Sequence, residues 1–257
     1  MKYVMLPTGA PPCGPSAGVR RLSFYLAMEE YVARRFDEPD CFFLWQVAPS
    51  VIFGRNQVLQ NEVNVDYCRR HGIELYRRKS GGGCVYADMG NIMLSFITKD
   101  ENVPYTFNRF ISMEMLLLRR LGLEAVSTTH NDVLLPPLSP VDGSPLADES
   151  WRKVSGTAFY HLPGHSIVHA TLLYDADMEH MVNAITPGPE KLEKKGIESV
   201  RQRITLLKDY ISLSIDELKA FIRQTLCNGE LRLTPDDVAA IEQIEQDYLR
   251  TEFIQRM

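Results

Sequence analysis

The chain has 257 residues, a net charge of −5 and an ordinary globular composition. A chain of this length can bury a substantial core, and its negative charge argues against a protein held to nucleic acid by overall charge. No apolar run reaches the roughly 18 residues needed to cross a bilayer, and the first residues lack the charged-then-apolar pattern of a signal peptide. We therefore expect a cytoplasmic protein that binds neither membrane nor nucleic acid.

The cysteines give no sign of a disulfide framework or of a thiolate metal site. They are odd in number, they are scattered, and they never form a CxxC pair. We expect most of them to be reduced thiols, some of them buried: Cys13, Cys41, Cys68, Cys84 and Cys227.

The first elements predicted along the chain are one helix and two short strands. Apolar residues recur at spacings of three and four within residues 18–36, which favours an amphipathic helix with Ser16 as a candidate N-cap. Residues 41–47 and 50–55 are short apolar runs. We interpret them as a buried hairpin or strand pair.

The next elements are predicted around a run of glycines. Residues 65–78 predict a short helix, ended by Gly72, followed by a strand. Residues 84–98 predict a hairpin whose second strand is apolar on both faces, as in a central strand. Residues 105–121 predict a second amphipathic helix.

The second half of the chain mixes a loop, a strand pair and helices. Residues 136–150 contain four prolines, which predict a long loop. Residues 153–175 predict two strands joined at a Pro-Gly turn. The chain from about residue 178 is mostly helical, with amphipathic stretches at 215–226 and 235–248. Because strands and helices do not alternate strictly, we expect an α/β fold of the α+β type, with a mixed, largely antiparallel sheet flanked by helices.

The segment RRKSGGG, residues 77–83, puts flexible backbone beside positive charge. A P-loop needs a lysine after its glycines, and a dinucleotide fingerprint opens a helix; this run has neither feature. Glycine lets a backbone approach an anion closely, and arginine adds fixed paired donors, so a phosphate or carboxylate site is one interpretation. A flexible turn with solvated basic residues is the other, and composition alone leaves both open.

Several separate segments resemble, in the same order, the blocks of lipoate protein ligases, which share their fold superfamily with biotin protein ligases. RRKSGGGCVYADMGN resembles the family's lipoate-binding loop, SFYLAMEEYV its first helix, and VIFGRNQ the strand and turn that follow. NDVLL, RKVSGTAFY, HATLLYD and KLEKKGIESVRQRITLL resemble its later blocks. These ordered blocks span about residues 22–207.

The resemblance implies one catalytic domain over residues 1–257, with a mostly helical portion from about residue 178. The chain ends about where many relatives begin a small C-terminal accessory domain, so we expect no separate domain of that kind. Three consequences stay open: adenylation uses a separate accessory polypeptide, the enzyme works without one, or the protein only transfers from preformed lipoyl-adenylate.

The activity implied is ATP-dependent activation of lipoate to lipoyl-adenylate, then transfer of the lipoyl group to a protein lysine. The acceptors implied are E2 subunits of 2-oxoacid dehydrogenases and the H protein of the glycine cleavage system. ATP and magnesium would serve as co-substrate and ion, with no tightly bound cofactor. One alternative is an octanoyl or lipoyl amidotransferase acting through a cysteine thioester, and another is a non-catalytic lipoyl-binding module.

Lys153 occupies the position of the family's catalytic lysine, where its ammonium would neutralise charge growing on phosphate and carboxylate oxygens. The alternative is a solvated surface lysine without a role in the reaction. The resemblance also implies a set of residues that bind substrate and adenylate: Arg78, Ser80, Gly81, Gly82, Gly83, Cys84, Val85, Tyr86, Asn131, Asp132, Ser155, Gly156 and His169.

Four of these positions carry open questions. Cys84 stands where relatives commonly have alanine, so we interpret it as a small neutral side chain against the ligand. An oxidisable thiol is the alternative. Asn131 and Asp132 would lie near the nucleotide, with Asp132 a candidate magnesium ligand, or would form only a turn. His169 would hydrogen-bond near the acyl chain or simply fill its strand.

Overall fold

The structure is a computed structural model that describes six ranges of the chain: residues 1–8, 19–129, 132–139, 143–146, 151–185 and 203–255. Among these residues the strands are β1 (Lys2–Met5), β2 (Asp40–Trp45), β3 (Ser50–Phe53), β4 (Glu74–Arg77), β5 (Val85–Ala87), β6 (Asn91–Thr98), β7 (Val126–Ser127), β8 (Asp132–Leu135), β9 (Arg152–Leu162), β10 (His165–Leu173) and β11 (Gly229–Arg232). The helices are α1 (Leu22–Arg35), α2 (Leu59–Glu62), α3 (Val65–Arg70), α4 (Val103–Arg120), α5 (Met178–Ala184), α6 (Ile215–Leu226), α7 (Pro235–Leu249) and α8 (Thr251–Ile254), with a 3-10 turn at Leu207–Asp209.

The strands form one large and one small sheet. The large sheet has eight strands in the order β11-β1-β2-β6-β10-β9-β8-β7, and the small sheet has the order β4-β3-β5. In the large sheet only the pairs β11–β1 and β1–β2 are parallel. The expected fold, a largely antiparallel sheet flanked by helices, is confirmed.

Two strand pairings expected from the sequence are wrong. Strands β2 and β3 do not pair: β2 pairs with β1 and β6 in the large sheet, while β3 lies between β4 and β5. Strands β5 and β6 likewise belong to different sheets. In both places a short connection crosses between the sheets, because an apolar run reports that a strand is buried and says nothing about its partner.

Other elements agree with the sequence. Helix α6 has the expected bounds, and the ends of α1 and α4 lie within four residues of theirs. Strand β6 is buried at all eight positions, as expected for a central strand. Strands β1, β7 and β11, which have four, two and four residues, were not predicted from the sequence. Ser16 and much of the expected loop at 136–150 lie outside the described residues.

Helices cover both faces of the large sheet. Helices α1 and α7 pack on one face, in a core that includes Phe24, Phe43 and Trp45. Helices α4 and α6 pack on the other face, around Phe42, Phe96 and Phe110. A third core joins the small sheet to α3 and α5. No helix in the described part of the chain is long and apolar enough to cross a membrane.

Candidate active site

Arg78 holds the glycine loop together from inside. Its side chain is buried, and its guanidinium donates to the carbonyl oxygens of Gly81 at 2.6 and 3.0 Å, Gly83 at 2.7 Å and Ile52 at 3.2 Å. Burial lowers the pKa of Arg78 to about 10, which still leaves the side chain charged at neutral pH. Three of these hydrogen bonds therefore hold the loop in its fold and the fourth joins it to β3, while the contact of Arg78 with phosphate stays a prediction.

The two basic neighbours of Arg78 also have protein partners. The Arg77 guanidinium donates to the carbonyl oxygens of Gln57 at 2.7 Å and Ile254 at 3.2 Å, and it lies over the Phe53 ring. Lys79 Nζ lies 2.6 Å from Oε1 of buried Glu30. The first part of RRKSGGG therefore stabilises the loop, which rules out the interpretation of these residues as freely solvated charges.

Close backbone contacts explain two of the loop's glycines. A Cβ atom on Gly54, at the end of β3, would lie 2.2 Å from the carbonyl oxygen of Gly82. Gly82 has φ +87°, a conformation that favours glycine. A Cβ atom there would also lie 3.9 Å from the Cβ atom of Ala158. The loop thus reaches strand β9.

A β-bulge in β9 decides which way Lys153 points. Val133 pairs with Ser155, but the next residue of β8, Leu134, pairs with Lys153, so Val154 is the extra residue. Val154 packs in the core beneath α4, and Ser155 bonds to a side chain of α4. Because a bulge puts two successive side chains on one face, Lys153 projects from the opposite face together with Gly156.

Lys153 lies over Gly156 and pairs with Asp132. Its Nζ is 2.7 Å from Asp132 Oδ1, and both side chains are about one-third exposed. A Cβ atom on Gly156 would lie 2.4 Å from Lys153 Nζ, so the glycine leaves room for the lysine. The Lys153 backbone is fixed by bonds to Arg203 O at 2.7 Å and from Thr205 N at 2.9 Å. The ammonium is thus held on fixed backbone but keeps access to solvent.

His169 links the glycine loop to helix α1. Its Nε2 lies 2.8 Å from Ser80 Oγ, and its Nδ1 lies 3.1 and 3.3 Å from the two carboxyl oxygens of Glu29. Ser95 Oγ donates to Glu29 at 2.5 Å, and Trp45 Nε1 donates to Ser95 at 2.9 Å. A neutral imidazole has one donor nitrogen; with its hydrogen on Nδ1, it donates to Glu29 and accepts from Ser80 at Nε2.

Burial makes Cys84 a poor nucleophile. Desolvation raises its pKa to about 12, although the nearby Arg78 charge acts to lower it. This shift disfavours the alternative of an oxidisable thiol at Cys84, because the loss of hydration outweighs the attraction to Arg78. Cys84 packs against the third core, consistent with a small neutral side chain.

The structure brings most of the sequence-predicted site residues to one region. Residues 78–84 form the loop, His169 lies beneath Ser80, and Lys153, Gly156 and Asp132 share the open face of β8 and β9. Ser155 points to the opposite face, and Tyr86 is buried in the third core. Asn131 lies outside the described residues.

Sequence reasoning missed the acidic residues that support this region: Glu29, Glu30 and Glu114. Each is a glutamate at a buried position of an amphipathic helix, and that mismatch of charge and periodicity was the available signal. Among the described residues no group of three metal-binding side chains occurs.

Comparison with known proteins identifies relatives of the chain. Residues 22–227 match the family of the lipoyl protein ligase A/B catalytic domain. Lipoate–protein ligase 1 of Staphylococcus aureus is 35% identical over 234 residues, which are 88% of this chain and 67% of that protein. A lipoate-protein ligase of Bacillus subtilis is 34% identical over 233 residues, which are 86% of this chain and 66% of that protein. The chain thus spans about two thirds of the length of these relatives.

Solved structures are similar over nearly the whole chain. A structure of a bi-partite lipoate protein ligase and its E2 lipoyl domain from Thermoplasma acidophilum matches with a TM-score of 0.79 and 25% identity, over 99% of this chain and 95% of that one. A lipoate-protein ligase A bound with ATP shares the fold, with a TM-score of 0.73 and 23% identity over 99% and 98% of the chains. Together the family match and the 35% identity confirm the sequence prediction: the chain belongs to the lipoate protein ligases, a family of enzymes, through their A/B catalytic domain.

Proposed function

We propose that this protein forms lipoyl-adenylate from lipoate and ATP and passes the lipoyl group to a lysine of an acceptor domain. The observation that carries the proposal is the placement of Lys153. Its ammonium lies over Gly156, and Ala158, two residues farther along the same face of β9, meets the glycine loop at Gly82. A mixed anhydride held by the loop would thus lie beside a positive charge.

In the activation step a lipoate carboxylate oxygen attacks the α-phosphorus of ATP, and pyrophosphate leaves. Negative charge grows on the phosphate oxygens as the bond forms, and the Lys153 ammonium stabilises that charge. Lys153 leaves Asp132 to do so. This exchange costs little, because a partly exposed ion pair contributes only about 0–1 kcal/mol.

In the transfer step the acceptor lysine, as a neutral amine, attacks the acyl carbonyl, and AMP leaves with the electron pair of the broken bond. The amine gives up its proton to solvent. Lys153 polarises the carbonyl oxygen and stabilises the charge of the tetrahedral intermediate. The aliphatic tail would lie near His169, whose hydrogen bonds to Ser80 and Glu29 hold that wall in place.

Asp132 fits the modest needs of a nucleotide-bound magnesium ion. Magnesium keeps several waters and takes one or two carboxylates together with substrate phosphates. Asp132 offers one partly exposed carboxylate, which becomes available when Lys153 turns to the phosphate. The ion would neutralise the charge of the leaving pyrophosphate.

Relatives support the proposed acceptor, and the sequence supports the proposed location. The structure from Thermoplasma acidophilum pairs its ligase with an E2 lipoyl domain, which supports lipoyl domains of E2 subunits as acceptors here. The H protein of the glycine cleavage system is a second candidate. That ligase is described as bi-partite, which favours a separate accessory polypeptide for adenylation. We place the reaction in the cytoplasm.

The thioester alternative is disfavoured by the cysteines. Burial raises the pKa of Cys84 and Cys41 to about 12, and that of Cys68 and Cys227 to about 11. A thioester route needs an accessible thiolate. None of the four described cysteines meets that need, so the adenylate route is the stronger proposal.

Three parallel incubations test the proposal by mass spectrometry of an acceptor lipoyl domain. The first contains lipoate, ATP and magnesium, the second contains lipoyl-adenylate alone, and the third contains a lipoylated or octanoylated carrier protein without ATP. A complete ligase adds one lipoyl group in the first two incubations. Modification only in the second would limit the protein to transfer, unless an accessory polypeptide restores the first.

Modification only in the third incubation would contradict the adenylate route and support the thioester route. An acceptor whose target lysine is changed to arginine is the control for nonspecific acylation. If that control gains the same mass, the reaction is chemical and the proposed activity is wrong.

A further inference from the structure

We propose that Glu114 is a positioning residue for Lys153: its carboxyl holds the bulged part of β9, and its charge state adjusts the electrostatic field at the Lys153 ammonium. This inference rests on the proposed function for its effect on rate. The coupling between the two side chains can be measured without any substrate.

Glu114 binds strand β9 from below. It lies on α4, with 4% of its surface exposed, and accepts a hydrogen bond from Ser155 Oγ at 2.6 Å and a longer one from Thr157 Oγ1 at 3.5 Å. Ser155 is the residue that follows the bulge. One carboxyl therefore fixes the strand two residues from Lys153.

A buried carboxyl in this place is not explained by packing. Its neighbours on α4 at three and four residues are apolar, as are the core residues of the elements packed on α4. These residues are Phe110, Ile111, Leu117, Leu118, Val133, Leu135, Val168, Ala170, Leu172, Leu218 and Ile222. An ionised carboxylate in such surroundings is costly unless something compensates it.

Lys153 lies across β9 from this carboxyl, because the bulge turns Lys153 to the face opposite the one on which Ser155 meets Glu114. Burial raises the pKa of Glu114 to about 7, while its bonds to Ser155 and Thr157 and the Lys153 charge act to lower it. Glu114 thus changes charge near neutrality. Because coupling is reciprocal, a lysine that favours the carboxylate is itself affected by that carboxylate. When Glu114 is ionised, it offsets part of the positive potential that Lys153 presents to a ligand.

The first test is a titration of Glu114 by NMR of protein labelled with 13C at the glutamate carboxyl carbons. Glu114→Gln identifies the signal by its loss. We expect a midpoint near 7 in the wild type, raised by about 0.3 or more in Lys153→Met because a favourable charge is gone. Lys208→Met removes a lysine paired with Asp175 elsewhere on the surface and should leave the midpoint unchanged. A wild-type midpoint near the ordinary 4.5, or none of this shift in Lys153→Met, would overturn the coupling.

The second test is the pH profile of lipoyl transfer from preformed lipoyl-adenylate. The ratio of the wild-type rate to the Glu114→Gln rate should fall by roughly twofold to tenfold as pH rises through the titration of Glu114. Glu245→Gln is the matched control, since Glu245 is also buried, has a raised pKa and accepts from Ser23 Oγ at 2.6 Å, but lies on α7. Its ratio to the wild type should not depend on pH.

The two tests separate failure of this inference from failure of the proposed function. A flat ratio for Glu114→Gln would overturn the effect of Glu114 on the reaction. Absence of transfer by the wild type would refute the proposed function, while the NMR midpoints would still decide the coupling.

Discussion

The glycine loop and the bulged start of β9 lie on two sides of the same site and are held in opposite ways. In the loop, the basic side chains of Arg77, Arg78 and Lys79 are bound by backbone carbonyls and by Glu30. In β9, the backbone of Lys153 is fixed, while its ammonium pairs with the partly exposed Asp132. Under the proposed function, the charged side chains of the loop hold its backbone in place, whereas the Lys153 ammonium exchanges Asp132 for the ligand.

Removal of the Lys153 ammonium should have the largest effect, and that effect should be on the rate of lipoyl transfer. Lys153→Ala should lower the rate of lipoyl transfer by roughly 100- to 1000-fold, the usual loss when one donor to a developing charge is deleted. The melting temperature should hardly change, since the lost ion pair is partly exposed and contributes little to stability. Transfer kinetics and thermal unfolding measure the two effects. Lys208→Ala is the matched control, and near-normal turnover of Lys153→Ala would remove the assignment.

Glu114, whose carboxyl binds β9, should make the free energy of unfolding depend on pH. The folded-state pKa of Glu114 is raised from 4.5 to about 7, so its favourable contribution is complete below 4.5 and is lost as pH rises through 7. The maximum loss is about 3 kcal/mol in the free energy of unfolding. Urea unfolding between about pH 5 and pH 8 should show this fall in the wild type but not in Glu114→Gln. Glu124→Gln, at an exposed position, should behave like the wild type; an identical fall in Glu114→Gln would refute the prediction.

Crowding the backbone of the glycine loop should lower the free energy of unfolding. Gly54→Ala places a methyl group against the Gly82 carbonyl oxygen and should lower the free energy of unfolding by about 2 kcal/mol. Denaturant unfolding measures the change. Gly83→Ala adds a methyl group in open space and should cost far less. Equal losses in the two variants would show that crowding is not the cause.

The smallest effect should come from a substitution that crowds the Lys153 side chain. Gly156→Ala puts a methyl group where Lys153 Nζ now lies, and a flexible side chain can move aside. We expect transfer to slow about tenfold while stability changes by less than about 1 kcal/mol. Kinetics of the double variant with Lys153→Ala are the control. It should be no slower than Lys153→Ala alone, and additive losses would mean that Gly156 acts independently of Lys153.

The sequence predicted those elements well that depend on residues close together in the chain. Apolar residues at helical spacing located α4 and α6 closely, and the alternation of short runs with turn residues located β9 and β10. Ordered motifs indicated the loop and Lys153. Glu114 was overlooked because a helix pattern is interpreted from its apolar residues, and a single acid among them counts only as an exception.

The amino-acid sequence by itself determined the class of fold, the family and the residues that could carry charge to a ligand. Tertiary structure alone decided that β2 and β3 lie in different sheets, that Arg78 folds its own loop, and that a bulge turns Lys153 toward the site. The reason is physical: helix formation and burial depend on neighbours a few residues away, whereas strand partners and charge partners are set by contacts between distant parts of the chain.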